Sequence, residues 1–115
     1  MARPGKWTVE FYATARGDCP VLDYIEHLPE RDQTKLARAF DLLADYGLAL
    51  GFPHAEPIDQ GLWELRASAQ RVFYVARKGR RLVLLHAYRK KSQKAPEREI
   101  ETARRRWADL LEREA

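Results

Sequence analysis

In Arg71-Val72-Phe73-Tyr74-Val75-Ala76-Arg77-Lys78-Gly79-Arg80-Arg81-Leu82-Val83-Leu84-Leu85-His86-Ala87-Tyr88, two apolar runs rich in branched and aromatic residues stand on either side of Gly79. Each run is of strand length, and the glycine between them suits a tight turn, so the segment reads as an antiparallel hairpin. Just upstream, Leu62-Trp63-Glu64-Leu65-Arg66 reads as a third extended stretch, separated from the hairpin by Ala67-Ser68-Ala69-Gln70. Residues 47–61 hold Gly51, Pro53, Pro57 and Gly61 and read as an irregular connection.

Further upstream, Trp7, Val9 and Phe11 alternate with Thr8, Glu10 and Tyr12, the period of a half-buried strand. Pro20 suits a first helical position, and Val21, Leu22, Ile25 and Leu28 make a short apolar stripe that Pro29 ends. A second helix is expected from about Arg31 to Tyr46, with Leu36, Phe40 and Leu43 on one face and Gly47 as its left-handed cap. Downstream of the hairpin a last helix is expected from Pro96 to Glu114, burying Ile100, Ala103, Trp107, Leu110 and Leu111. The expected fold is α+β, with a mainly antiparallel four-stranded sheet packed with helices in the order β-α-α-β-β-β-α. Residues 1–115 are expected to form a single domain.

Composition narrows the function. No apolar run approaches the roughly 18–20 residues of a membrane helix, and no apolar stretch follows Met1-Ala2-Arg3-Pro4-Gly5-Lys6, so no signal peptide is expected there. The lone Cys19 implies neither a disulfide nor a zinc site, so a cytoplasmic protein is expected. Charge is segregated along the chain. Residues 1–65 carry 6 Lys/Arg against 11 Asp/Glu, whereas residues 66–106 carry 14 Lys/Arg against three acids. A dense basic block of this kind suggests a polyanion footprint, since phosphate contacts supply most non-specific nucleic-acid affinity.

The chain lacks a phosphate-binding glycine loop, a His-Glu-x-x-His pair and a Gly-x-Ser-x-Gly elbow. No metal or other cofactor is expected. What remains is a cationic set on strands. Simple alternation along Arg81–Lys90 puts Leu82, Leu84, His86, Tyr88 and Lys90 on one face. Arg66 and Arg71 lie at adjoining strand ends, where both can point at one anion, and Lys91 and Lys94 follow in the loop before the last helix.

Such a set suits RNA cleavage in which the ribose 2′-hydroxyl attacks its own adjacent phosphate. The reaction needs a base for the hydroxyl proton, cations for the charge growing on phosphorus-bound oxygens, and an acid for the leaving 5′-oxygen. His86, Tyr88 or a lysine crowded by like charges can move the protons, and the forked donors of Arg66 and Arg71 fit phosphate oxygens. The bland alternatives are that His86 is a hydrogen-bonded semi-core residue, that Tyr88 merely caps the core, and that Arg66 and Arg71 pair with Glu64 or Asp59. Trp7, Trp63 and Trp107 read as core residues, and Arg104-Arg105-Arg106 as a solvated helix face.

Leu62–Arg66, Arg71-Val72-Phe73-Tyr74, Leu85-His86-Ala87-Tyr88-Arg89-Lys90-Lys91-Ser92-Gln93-Lys94-Ala95-Pro96 and Glu99-Ile100-Glu101-Thr102-Ala103 resemble the conserved blocks of the phage-derived HigB-like branch of the RelE toxin superfamily. Trp7–Tyr12 and Gly17-Asp18-Cys19-Pro20-Val21 extend the resemblance over nearly the whole chain, and Lys90–Pro96 is its most specific piece. The resemblance implies a type II toxin with a compact ribonuclease-like fold that cuts mRNA without a metal, commonly in the ribosomal A site. Its implied partners are mRNA, the ribosome and a helix-turn-helix (HigA-like) antitoxin, with operator DNA reached only through that antitoxin and no membrane involved.

It also implies that Arg71 is a phosphate-stabilising arginine and that Lys90 or Lys91 is a second cation. The family's C-terminal catalytic tyrosine has no counterpart after Tyr88, which shifts weight onto Tyr88 and the lysines. The expected catalytic set is therefore Arg71, Tyr88, Lys91 and His86, with Arg66, Arg89, Lys90 and Lys94 holding RNA phosphates. Two alternatives stay open: a ParE-like toxin that poisons gyrase by protein contact, and a catalytically silent phage remnant that binds RNA.

Overall fold

A computed structural model describes residues 6–115. The reading of Met1–Gly5 as no signal peptide falls outside the described residues. The elements run β1 (Thr8–Phe11), α1 (Pro20–Glu26), α2 (Glu30–Tyr46), a 3-10 turn (Gly47–Ala49), β2 (Ala55–Asp59), β3 (Leu62–Ala67), β4 (Gln70–Arg77), β5 (Arg81–Arg89) and α3 (Glu97–Arg113). The strands form one sheet ordered β1-β5-β4-β3-β2. Neighbours β2 to β5 pair antiparallel, and β1 pairs parallel with β5, Thr8 opposite Arg81.

The α+β class holds, but the sheet has five strands and is mixed, which corrects the expectation of four and adds a strand to the order. The additional strand is β2, inside the segment read as irregular. Its Pro57 lacks a ladder donor and its Glu56 and Asp59 are polar, features a strand tolerates at a sheet edge, where β2 lies. The register shifts between Pro57 and Asp59, so the strand is also bulged.

Helices cover both faces of the sheet. On one, Val21 of α1 and Leu36 and Leu43 of α2 pack with Leu65, Val72, Tyr74, Leu82 and Leu84, and Trp7, Val9, Phe11 and Trp63 join their rim. On the other, Ala103 and Leu110 of α3 pack with Leu62, Phe73, Val75, Val83 and Leu85, with Ile100 and Trp107 alongside. Leu111, expected in that buried face, is instead 40% exposed. Gly47 ends α2 with φ +55 and lies against the indole of Trp7, so that a Cβ there would fall 2.1 Å from the Trp7 Nε1. The close approach docks the base of β1 on the end of α2, where the Trp7 N–H also donates to the Ala44 carbonyl at 2.8 Å.

One irregularity redirects the side chains that matter. Phe73 stands opposite His86 but Tyr74 stands opposite Leu84, so Leu85 is an extra residue in β5. A bulge resets the alternation. Leu85 and His86 therefore both face α3, and His86 and Tyr88 lie on the sheet face opposite Leu82 and Leu84, contrary to the simple alternation expected from the sequence.

Candidate functional site

Alternation along β3 and β4 sends Glu64, Arg66 and Arg71 to the same sheet face as His86 and Tyr88, the face that α3 covers. Arg66 and Arg71 are directly paired across β3 and β4. They do converge, but on a carboxylate of the protein itself. Glu64 Oε1 lies 3.6 Å from the Arg66 Nε and 3.9 Å from the Arg71 Nε, while its Oε2 accepts from the Tyr88 hydroxyl at 2.9 Å. Arg66 also bonds Glu56 of β2. Arg71 is almost buried and donates through Nη1 to the carbonyls of Ser68 (2.6 Å) and Gln70 (3.0 Å), which fixes it at the β3–β4 turn.

Tyr88 and His86 are held equally firmly. Burial, and then the negative charge of Glu64, pushes the Tyr88 hydroxyl above its ordinary value, so it stands as a proton donor. The rings of His86, Phe73 and Tyr88 form a triangular cluster, with His86 roughly parallel to both at 6.5 and 6.1 Å and Phe73 5.5 Å from Tyr88. The His86 Nδ1 lies 3.1 Å from Arg106 Nη1, a donor-only group that also reaches the Leu85 carbonyl at 2.9 Å. That contact assigns Nδ1 as the acceptor and puts the ring proton on Nε2, which donates to Glu99 at 2.6 Å. Burial is the main cause that lowers the His86 pKa, opposed by the Glu99 hydrogen bond and aided by the charge of Arg106. In this state His86 is a neutral strap between β5 and α3.

Most arginines of the basic block are spent on the protein's own acids: Arg77 and Arg81 on Glu114, Arg81 on Glu10 and Arg104 on Asp59. Among the described residues, no ion pair engages the side chains of Arg89, Lys90, Lys91 or Lys94, all exposed at the end of β5 and in the following loop. Four of the block's cations without an ion pair are thus gathered where β5 leaves the sheet, while Lys78 and Arg80 stand at the β4–β5 turn and Arg105 on α3.

The loop from Lys90 to Pro96 separates two depressions. The first, about 420 Å³, lies between β2, β3 and the start of α3 and is lined by Glu56, Glu64, Arg66, Gln93, Lys94 and apolar neighbours. The second, about 330 Å³, lies beside the end of β5 and is lined by Tyr24, Tyr88, Arg89, Lys91, Arg98 and Glu99. Glu64 opens into the first and Tyr88 into the second, so their hydrogen bond links the two beneath the loop.

Of the sequence-expected residues, Arg66 and Lys94 share the first depression, and Tyr88, Arg89 and Lys91 share the second. Arg71 lines neither depression and is the register partner of Tyr88 on the neighbouring strand, and His86 turns to α3. Glu64, Glu99 and Arg106 organise the site and were not singled out as site residues. The i, i+2 spacing of Glu64 and Arg66 on one strand was a readable signal, as was the two-turn spacing of Glu99 and Arg106 on α3. Among the described residues, no helix is long and apolar enough to cross a membrane.

No curated protein matches this chain in sequence. Among solved structures, the crystal structure of the toxin–antitoxin complex RelBE2 from Mycobacterium tuberculosis is similar at 20% identity, covering 80% of this chain and 100% of that chain with a TM-score of 0.48. The model of the family described as phage derived protein Gp49-like (DUF891) matches residues 23–108, from the first helix through most of the last, and the chain belongs to that family.

Proposed function

We propose that this protein is the toxin of a type II toxin–antitoxin pair, in the HigB-like branch, and that it cuts mRNA without a metal. The reading draws on membership of the Gp49-like family, a RelE/HigB-like toxin family. The observation that carries it is the cluster of unneutralised cations at Arg89, Lys90, Lys91 and Lys94 beside the buried Tyr88–Glu64–Arg71 network.

An RNA strand crosses the Lys90–Pro96 loop, its phosphates held by Arg66, Arg89, Lys90 and Lys94. The scissile phosphate settles in the second depression against Lys91 and Tyr88. The ribose 2′-hydroxyl attacks that phosphate and gives its proton to solvent water, while the Lys91 ammonium holds the phosphate oxygens. Arg71 supports the growing negative charge, and the Tyr88 hydroxyl donates its proton to the leaving 5′-oxygen. His86 anchors α3 over this chemistry and exchanges protons only when Arg106 releases it. The protein works in the cytoplasm, at the ribosome, until a helix-turn-helix antitoxin covers the basic loop; operator DNA is reached only through that antitoxin.

The deciding experiment is induction of the gene followed by mapping of mRNA ends. Growth arrest with new mRNA 5′ ends is expected, and Lys91→Ala and Arg71→Lys should abolish the cuts while the protein keeps its fold. Toxicity unchanged in both variants would overturn the proposed site. One observation favours the gyrase-poisoning reading: Tyr88, Glu64 and Arg71 expose under a tenth of their surface, whereas a protein contact needs only the outer cations. Intact mRNA with a DNA-damage response would select that reading.

A further inference from the structure

The first depression has the form of a seat for a nucleobase. Pro57 and Ile58 on the β2 side, and Ala95 and Ile100 on the α3 side, give it apolar walls, and its volume of about 420 Å³ falls within the range of small-molecule sites. Polar groups converge on it from Glu56, Arg66, Gln93 and Lys94. Arg66 holds the Glu56 carboxylate through Oε1, which fixes its orientation and leaves Oε2 and the remaining lone pairs for a ligand.

An acceptor-only group fixed in a pocket selects a ligand edge with neighbouring donors. Among the four RNA bases, guanine alone presents two adjacent donors, N1–H and the N2 amine, on its Watson–Crick edge. The O6 acceptor stands beside them, suited to the Lys94 ammonium or the Gln93 amide. Adenine and cytosine each set one amine beside a ring acceptor, and uracil flanks its single N–H with two carbonyls, so each brings an acceptor against the carboxylate.

A second observation points the same way. Phe52, 76% exposed, lines a neighbouring depression with Tyr46 and His54, and the Arg66 guanidinium of the first depression lies over its ring at 5.8 Å, so a guanidinium–aromatic stack borders this pocket. Exposed aromatic and guanidinium planes are the surfaces on which unstacked RNA bases settle.

We infer that this pocket is a guanine-selecting subsite, with Glu56 as its specificity-determining residue and Phe52 as a stacking platform for the flanking base. The inference rests on the RNA-cleaving reading above and adds to it which base the strand presents. The test is titration of the full chain with the 3′-monophosphates of guanosine, inosine and adenosine, followed by amide chemical shifts, for the wild type and for Glu56→Gln and Glu56→Asp. Guanosine 3′-monophosphate should bind roughly tenfold more tightly than the adenosine compound, with inosine, which lacks the N2 amine, in between.

Glu56→Gln should erase the gap without lowering the melting temperature, and Glu56→Asp, which keeps the charge, should retain part of it. Equal affinities in the wild type, or a guanosine preference that survives Glu56→Gln, would overturn the subsite. If mRNA is cut but without preference at guanine, the subsite fails and the nuclease reading stands. If neither RNA nor any of the three nucleotides binds, both fall.

Discussion

The hydroxyl of Tyr88 donates to Glu64 across 2.9 Å at a point where Tyr88 exposes 6% of its surface and Glu64 only 4%. The same carboxylate is the counter-charge of Arg66 and Arg71, so one acid holds three strands' worth of polar groups in register. Removing one partner of a buried charge cluster leaves the others uncompensated, at a cost of about 3 kcal/mol. Glu64→Ala is expected to lose about that much in urea unfolding. Glu64→Gln should lose less, because it keeps an acceptor for Tyr88.

His86 makes stability depend on pH in a defined direction. Its pKa is lowered in the folded protein, chiefly by burial, so below the ordinary histidine value of about 6.5 the unfolded chain binds a proton that the folded one resists. Its contribution is complete above that value and is lost as the pH falls towards the folded pKa. Thermal melts between pH 7.5 and 5 should show a steeper loss for the wild type than for His86→Asn. Parallel curves would show that the ring carries no such linkage.

The free cations and the paired ones should part company in RNA binding. Each phosphate contact removed lowers the slope of log affinity against log salt by about one. Arg89→Ala and Lys91→Ala should each do so in anisotropy titrations with single-stranded RNA. Arg104→Ala, whose guanidinium is engaged by Asp59, should leave the slope unchanged. Equal slopes for all three variants would separate the exposed loop from RNA.

Gly47→Ala is expected to destabilise the fold by about 1–3 kcal/mol, because the new methyl meets the Trp7 indole and the backbone there has positive φ. A calorimetric melt checks it, and red-shifted tryptophan emission should report the displaced ring.

The hairpin, the helices and the α+β class were legible because apolar period and glycine placement act locally. Two features were not. The edge strand Ala55–Asp59 carries proline and acids, which in a linear reading mark a loop and become tolerable only once the strand lies at a sheet margin. The bulge at Leu85 follows from pairing with β4, and nothing in Leu84-Leu85-His86 announces it. The charge block was plain, but its neutralisation was hidden, because Arg81 finds its acids at Glu10 and Glu114, at opposite ends of the chain. The candidate site was therefore readable as a list of cations and not as a division between those already occupied and those left over.

The parallel pairing of β1 with β5 also sets an order of assembly. Thr8 has no ladder partner until Arg81 has been synthesised, so Trp7, Val9 and Phe11 wait through most of translation without the strand that shelters them. Contacts this distant in sequence close late and slowly. A nascent chain interrupted before the hairpin leaves the apolar N-terminal strand with only α2 to pack on and lacks the basic loop altogether, so a partial product is prone to aggregate.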